Sequence, residues 1–302
     1  MDLPVEYLST FAAIVDEGSF EGAARRLHVS PSAISQRVRS MEQRVGLVLL
    51  TRQKPVQVTP AGATVLRVAR QLGRLADDAG RELGIDGGER TVVPLAVNAD
   101  ALATWLMPPL ARASEELGIL LDLRRADETE TTSLLRDGTV MAALTAVAEA
   151  VPGCTVQRLG SERYRALASP GYVARWFPEG LSAAALAGAP LLDYDRADTY
   201  QSRFLRQVTR VPVAPPRHVV PSSTAFVLAA ELGLGWGMIP EAQAVEALAA
   251  GTLVPLPGGE PIALPVYWQR WNLASPILGR LTEIVAEAAA VHLPASPPPS
   301  CH

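Results

Sequence analysis

The chain has 302 residues, a net charge of −4, 48% hydrophobic and 19% charged side chains, and only two cysteines. That composition describes an ordinary globular protein of two or three folding units, and it argues against a disulfide framework or a cysteine-held metal. No apolar run nears the roughly 18–20 residues that a membrane span needs. The first 17 residues mix acidic and apolar side chains instead of forming a secretory leader, so a cytoplasmic protein without a membrane partner is expected.

The charge is unevenly spread. Between Glu21 and Arg74 stand ten basic and two acidic residues, whereas from Thr91 onward there are 15 basic and 20 acidic ones. A basic segment on an acidic partner is the pattern of a nucleic-acid module joined to a second domain. The four histidines, His28, His218, His292 and His302, are scattered, so neither a metal nor another cofactor is expected.

Residues 5–17 place Leu8, Phe11, Ala12 and Val15 on one helical face, and Gly18 ends the run. Ser19 caps a second short helix with Ala23, Ala24 and Leu27 inward. Ser30 caps a third, with Pro31 at its first position, running to Val45 and ending at Gly46. Two short helices, a tight turn and a longer helix predict a helix-turn-helix. In the third helix Ile34, Val38, Met41 and Val45 face the core. Ser32, Ser35, Gln36, Arg37 and Arg39 point away or lie at its start, and such groups hydrogen-bond base edges and phosphates. Residues 47–59 read as a small hairpin with Arg52 and Lys54, the only lysine, near its tip as phosphate contacts. A helix from 60 to about 83 carries a broad apolar stripe, Val65, Leu66, Val68, Ala69, Leu72, Leu75, Ala76 and Ala79, which predicts dimerisation. A glycine-rich hinge follows.

From Thr91 strands and helices alternate. Strands are expected at 91–97, 119–124, 141–145, 164–169, 191–195, 217–220 and 266–268. Helices are expected at 100–116, 133–136, 199–207, 223–232 and 278–292, with a disordered tail at 294–302. Alternation implies an α/β domain with a mainly parallel sheet and a ligand at the strand carboxyl ends.

The run from Phe11 to Gly62 includes Gly18-Ser19-Phe20, Ala23-Ala24, Leu27 to Gln36 and Thr59-Pro60-Ala61-Gly62, and it resembles the LysR-type regulators. The resemblance implies an α+β multidomain protein: a winged helix-turn-helix (1–59), a linker helix (60–84), a hinge (85–90) and a periplasmic-binding-protein-like effector domain (91–293). Its two subdomains would span about 91–161 with 267–293, and about 162–266. Homodimers, possibly tetramers, on operator DNA with RNA polymerase as a partner are implied too.

Residues 96–100, Thr104-Trp105, Asp127-Glu128-Thr129, Ser222-Ser223, Phe226, 233–238 and Tyr267-Trp268 look like a narrower branch, the ArgP/LysG group. That group responds to lysine or arginine and regulates export of basic amino acids. The branch often has serine where this chain has Ala101. The residues suit such an effector. A carboxylate is favoured at the helix starts after Asn98 and at Ser222-Ser223. The acids Asp100, Asp127, Glu128, Asp193, Asp195 and Asp198, at or just after strand ends, suit a cation. Thr145, Phe226 and Trp268 complete the expected cleft, with Trp268 the favoured ligand wall. No glycine-rich phosphate loop, serine elbow, metal motif or nucleophile–histidine set is present, so an enzyme is not expected. The competing readings are an architectural or replication-associated DNA binder, and a solute-binding protein or enzyme fused to a DNA module.

Overall fold

The computed structural model describes residues 3–51, 53–85, 90–126 and 128–293, without the side chains of Glu128 and Thr129. The tail at 294–302, Arg52, Asp127 and most of the hinge at 85–90 therefore lie outside the described residues.

Short-range signals build the head. The helix α1 (Val5–Glu17) buries Leu8, Phe11 and Ile14 and stops at Gly18, whose φ of +65° suits a residue without a Cβ. Ser19 accepts a hydrogen bond from the Gly22 N–H at 3.0 Å and opens α2 (Phe20–Arg26). Ser30 does the same for Ala33 at 3.2 Å, and α3 (Pro31–Val45) begins on Pro31, where a missing N–H leaves nothing unsatisfied. Ile34, Val38 and Met41 close the core that α1 and α2 share. The expected wing shrinks to one antiparallel bridge, Leu50 with Val58, and the Val56 N–H donates to the Gly18 carbonyl.

Thr59 caps α4 (Pro60–Glu82). A Cβ at Gly62 would stand 2.0 Å from the Leu49 carbonyl oxygen, so the helix meets the wing as closely as backbone permits. The apolar stripe of α4 is divided. Val65, Leu66, Ala69 and Leu72 pack into the head, while Val68, Leu75 and Leu83 are exposed. Arg70 on α4 holds two regions at once: its guanidinium donates to Asp16 of α1 at 2.7 Å and to Thr139 at 3.2 Å.

The remainder forms two lobes on one sheet. The first is built from β1 (Val92–Val97), α5 (Ala99–Ala103), α6 (Met107–Leu117), β2 (Leu120–Arg125), α7 (Glu128–Arg136) and β3 (Ala142–Thr145). The long strand β4 (Cys154–Ala168) leads into the second lobe. That lobe holds α8 (Pro170–Trp176), α9 (Ala183–Gly188), β5 (Leu191–Asp193), α10 (Tyr200–Val208), β6 (Arg217–Val219), α11 (Ser223–Glu231), β7 (Gly237–Pro240), α12 (Glu241–Ala250) and β8 (Val254–Pro255). Then β9 (Ile262–Trp271) runs back and α13 (Pro276–His292) covers the first lobe.

The sheet order is β2-β1-β3-β9-β4-β7, with β8 also on β4. The expected mainly parallel sheet is corrected here. Only β1 pairs in parallel within it, with β2 and β3, because β9 and β4 pass between the lobes in opposite directions and form its antiparallel spine. The single helix expected at 100–116 is also two helices. Pro108 and Pro109 lack N–H donors, so they fit only the first turn of a new helix, α6.

Candidate functional site

The exposed side of α3 carries the candidate DNA contacts. Pro31, Ser32, Gln36 and Arg39 are exposed on it, and Lys54 is exposed at the wing tip. Ser30 is occupied as a cap, its Oγ 2.8 Å from that of Ser32. Ser35 is half-buried and donates to the Pro31 carbonyl at 3.0 Å. Arg37 departs from the expected outward direction: it donates to Thr10 at 3.0 Å and pairs with Glu6, so it braces α3 against α1. The register explains this, since position 37 lies beside Val38 on the flank turned to α1.

Between the lobes lies a cleft of about 420 Å³, within the range of about 300–1,000 Å³ usual for small-molecule sites. It is lined by the segment after β1 (Asn98 to Asp100), Arg125 at the end of β2, the loop 194–200, and Ser223 and Phe226 of α11. A smaller cavity of about 30 Å³ adjoins it, sharing Asn98, Ala126, Tyr164 and Tyr200, and is also lined by Thr145 and Glu162.

The floor is acidic. Asp100 receives a hydrogen bond from Ser223 Oγ at 2.6 Å on one oxygen and from Tyr164 Oη at 2.8 Å on the other. Tyr164 Oη also stands 3.2 Å from Glu162 Oε2. Glu162 is buried, 6% exposed, and its Oε1 has no hydrogen-bond partner. The Trp105 indole and the Asn98 amide, the other polar groups beside it, act on it as hydrogen-bond donors that favour its charged form. Burial, followed by the charge of Asp100, pushes the Glu162 carboxyl up to about 7. Burial likewise holds the Tyr164 phenol well above its ordinary value, so it stays a donor.

The mouth carries the opposite charge on one side chain. Arg125 crosses the mouth, donating to Tyr194 Oη at 2.6 Å and to the Pro221 carbonyl at 3.3 Å on the other lobe. Asp198 is committed to its own loop, accepting from the backbone N–H of Tyr194 at 2.8 Å and of Tyr200 at 3.0 Å. Burial nevertheless raises its carboxyl. Asp195 lines the cleft and accepts from the Ala197 N–H at 2.7 Å.

Several expected cleft residues stand elsewhere. Asp193 is buried off the cleft and paired with Arg217 at 2.8 Å. Ser222 caps α11 but does not line the cleft, whereas Ser223 does. Ala101 is wholly buried in the first lobe's core, so a hydroxyl at that position would enter apolar packing. Trp268 is corrected from ligand wall to core. It shares a strand face with Val266 and packs with α13, its indole N–H donating to Thr282 Oγ1 at 3.1 Å. Asp127 and the side chain of Glu128 lie outside the described residues.

Residues 5–63 match the model of the bacterial regulatory helix-turn-helix protein, lysR family, and residues 86–290 match that of the LysR substrate binding domain. This chain belongs to the LysR family. It is similar to the lysine export transcriptional regulatory protein LysG of Corynebacterium glutamicum, 42% identical over 286 residues, covering 93% of this chain and 96% of that one. The crystal structure of ArgP from Mycobacterium tuberculosis superposes with a TM-score of 0.89 at 43% identity, covering 96% and 98% of the two chains. Full-length LysG from Corynebacterium glutamicum with bound effector Arg gives 0.83 at 39% identity, covering 95% and 98%.

As a LysR-family protein the chain is a DNA-binding transcriptional regulator, not an enzyme. Sequence reasoning passed over several residues of the site, among them Arg125, Tyr164 and Tyr200 of the cleft and Glu162 of the adjoining cavity. For Glu162 a signal existed. Strand alternation sets positions 162, 164, 166 and 168 on one face, and Glu162 is the acid on a face otherwise made of tyrosine and alanine.

Proposed function

We propose that this LysR-family regulator senses a basic amino acid, lysine or arginine, and controls transcription of an amino-acid exporter gene. The observation that carries the reading is the uncompensated acidity of the cleft floor. Among the described residues no arginine, lysine or histidine pairs with Asp100 or Glu162, so a cationic ligand supplies what the fold withholds. Arg125 at the mouth offers a partner to the effector's carboxylate. The names of the similar proteins point the same way.

On this reading the head (1–59) acts as a cytoplasmic homodimer, possibly a tetramer, joined through the linker helix (60–84). The hinge (85–90) leads to the effector region (91–293), whose subdomains take 91–161 with 267–293, and 162–266, ahead of the tail. Base edges meet Gln36, Ser32, Ser35 and Arg39. Lys54 and Arg52 meet phosphates, and RNA polymerase is the downstream partner.

Titration calorimetry of the purified protein with lysine, arginine, histidine, norleucine and glutamate tests the effector class. Tight binding of lysine or arginine and weak binding of norleucine is expected, because norleucine shares the α-ammonium and carboxylate but its neutral side chain lacks the differential affinity that shifts the protein. Heat from glutamate alone would overturn the reading.

A further inference from the structure

The three polar groups on the cleft floor pose a question of proton direction. Tyr164 Oη lies within hydrogen-bonding distance of two carboxylates, Asp100 at 2.8 Å and Glu162 at 3.2 Å, yet a phenol has one proton to give. Asp100 already draws the proton of Ser223 on its other oxygen. Both contacts of Tyr164 are satisfied only when one carboxylate carries a proton, and Glu162, the more buried of the two, is the one that keeps it. Glu162 then donates to Tyr164 Oη, Tyr164 donates to Asp100, and one negative charge rests on Asp100 instead of two on facing carboxylates.

We propose that Glu162, sharing protons with Asp100 through Tyr164, is the subsite that takes the effector's primary ammonium group, and that Glu162 releases its proton to solvent when the ammonium arrives. The inference rests on the basic-amino-acid reading and adds the residue, the end of the ligand and the proton. The balance is simple. The ammonium keeps its three protons, the Glu162 carboxyl loses one to a water or buffer base, and the floor changes from one negative charge to two as a positive charge enters.

The space fits that group. The cavity of about 30 Å³ beside Glu162 exceeds the 10–15 Å³ that a water needs, and an ammonium head is about that size. It adjoins the cleft, with Tyr164 and Tyr200 lining both. The unpartnered Oε1 of Glu162 is the free acceptor there. Both lysine and arginine possess an α-ammonium, so one subsite serves either. The groups around Glu162 that respond to charge are Asp100 on α5, Tyr164 on β4 itself and Tyr200 on α10. None is a cation, and burial with the charge of Asp100 opposes proton loss more than the hydrogen bonds of Tyr164, Trp105 and Asn98 favour it.

The test is titration calorimetry of the full-length protein with lysine and with arginine, near pH 7, in phosphate, imidazole and Tris, whose ionisation heats differ. The apparent heat should vary with buffer with a slope of about half a proton released per site, since the carboxyl stands at about 7. The slope should fall toward zero near pH 8, where Glu162 is mostly ionised and the free amino acid still keeps its α-ammonium proton. Glu162→Gln should abolish the slope and weaken lysine binding tenfold or more, with operator binding by the free protein unchanged. A buffer-independent heat in the wild-type protein overturns the proposal, as does a slope that survives in Glu162→Gln. That wild-type slope decides the matter even where the variant fails to fold. Absence of any heat with both amino acids defeats the effector reading itself, and this proposal with it, and is a different result from heat without a slope.

Discussion

Replacing Glu162 by glutamine should stabilise the ligand-free protein in alkaline solution and leave it nearly unchanged in acid. The carboxyl is raised from 4.5 to about 7 in the fold. A group whose folded value lies above its unfolded value contributes stability that is complete below the unfolded value and is lost as pH rises through the folded one. The window here is from about pH 4.5 to about pH 7. A displacement of roughly 2.5 pH units at about 1.36 kcal/mol each is about 3 kcal/mol. Above pH 8 the wild-type protein bears that full cost as a buried charge facing Asp100. Glutamine preserves the shape and, through its amide N–H, the donor to Tyr164, but does not titrate. For a region of about 200 residues, about 3 kcal/mol corresponds to roughly 6–12 °C in melting temperature. Thermal melts of both proteins at pH 5.5 and pH 8.5, without amino acids, measure the difference. A gap that widens about two- to threefold between pH 5.5 and pH 8.5 is expected, because part of the cost is already present at pH 5.5; an equal gap at both pH values would refute the argument.

Gln36→Ala should weaken operator binding by roughly 1–3 kcal/mol while sparing random DNA, whereas Lys54→Ala should weaken both and reduce the salt slope by about one, as read by binding titrations across salt concentration. Leu75→Glu should yield monomers in native mass measurements, because Leu75 is 38% exposed on the flank of α4 that the head leaves uncovered. Asp100→Asn should abolish the heat of lysine binding yet leave operator affinity intact, since among the described residues its side chain hydrogen-bonds Ser223 and Tyr164, both far from the head in sequence. Gly62→Ala should unfold the head at room temperature, seen as lost helical signal and lost DNA binding, because its Cβ would strike the Leu49 carbonyl at 2.0 Å.

The head was legible residue by residue because its determinants act over three or four positions. Ser19, Ser30 and Thr59 cap the next turn, Pro31 and Pro60 stand where no donor is required, and Gly18 and Gly46 take left-handed backbone. The two lobes were legible as alternating elements but not as a sheet, since the pairing of β4 with β9 joins residues about a hundred positions apart. The motif around Trp268 said nothing of which strand face looks at the cleft; the pairing of Val266 and Trp268 with α13 decides that. Asp193 and Asp198 were legible as acids near strand ends. Their partners, Arg217 and the N–H groups of Tyr194 and Tyr200, are properties of the folded loops. Glu162 was missed because the strand was expected only from 164, so its place on the face of Tyr164, Ala166 and Ala168 went unread.

The two long strands also govern how the cleft can change shape. Each of β4 and β9 has one end in either lobe, and their ladder is continuous from Cys154 opposite Trp271 to Tyr164 opposite Ile262 except for a register shift between Arg158 and Gly160. No loose linker separates the lobes there, so widening the cleft is a torsion of a two-strand ribbon, concentrated where the bulge has already broken the ladder. The end of the last helix rests on that point, for a Cβ on Gly160 would lie 2.6 Å from that of Leu293. Glu162 sits two residues from the bulge, so its carboxyl turns with the ribbon. Through β3 the same torsion reaches the strand edge beside Thr139, which Arg70 of the linker helix holds together with Asp16 of the head.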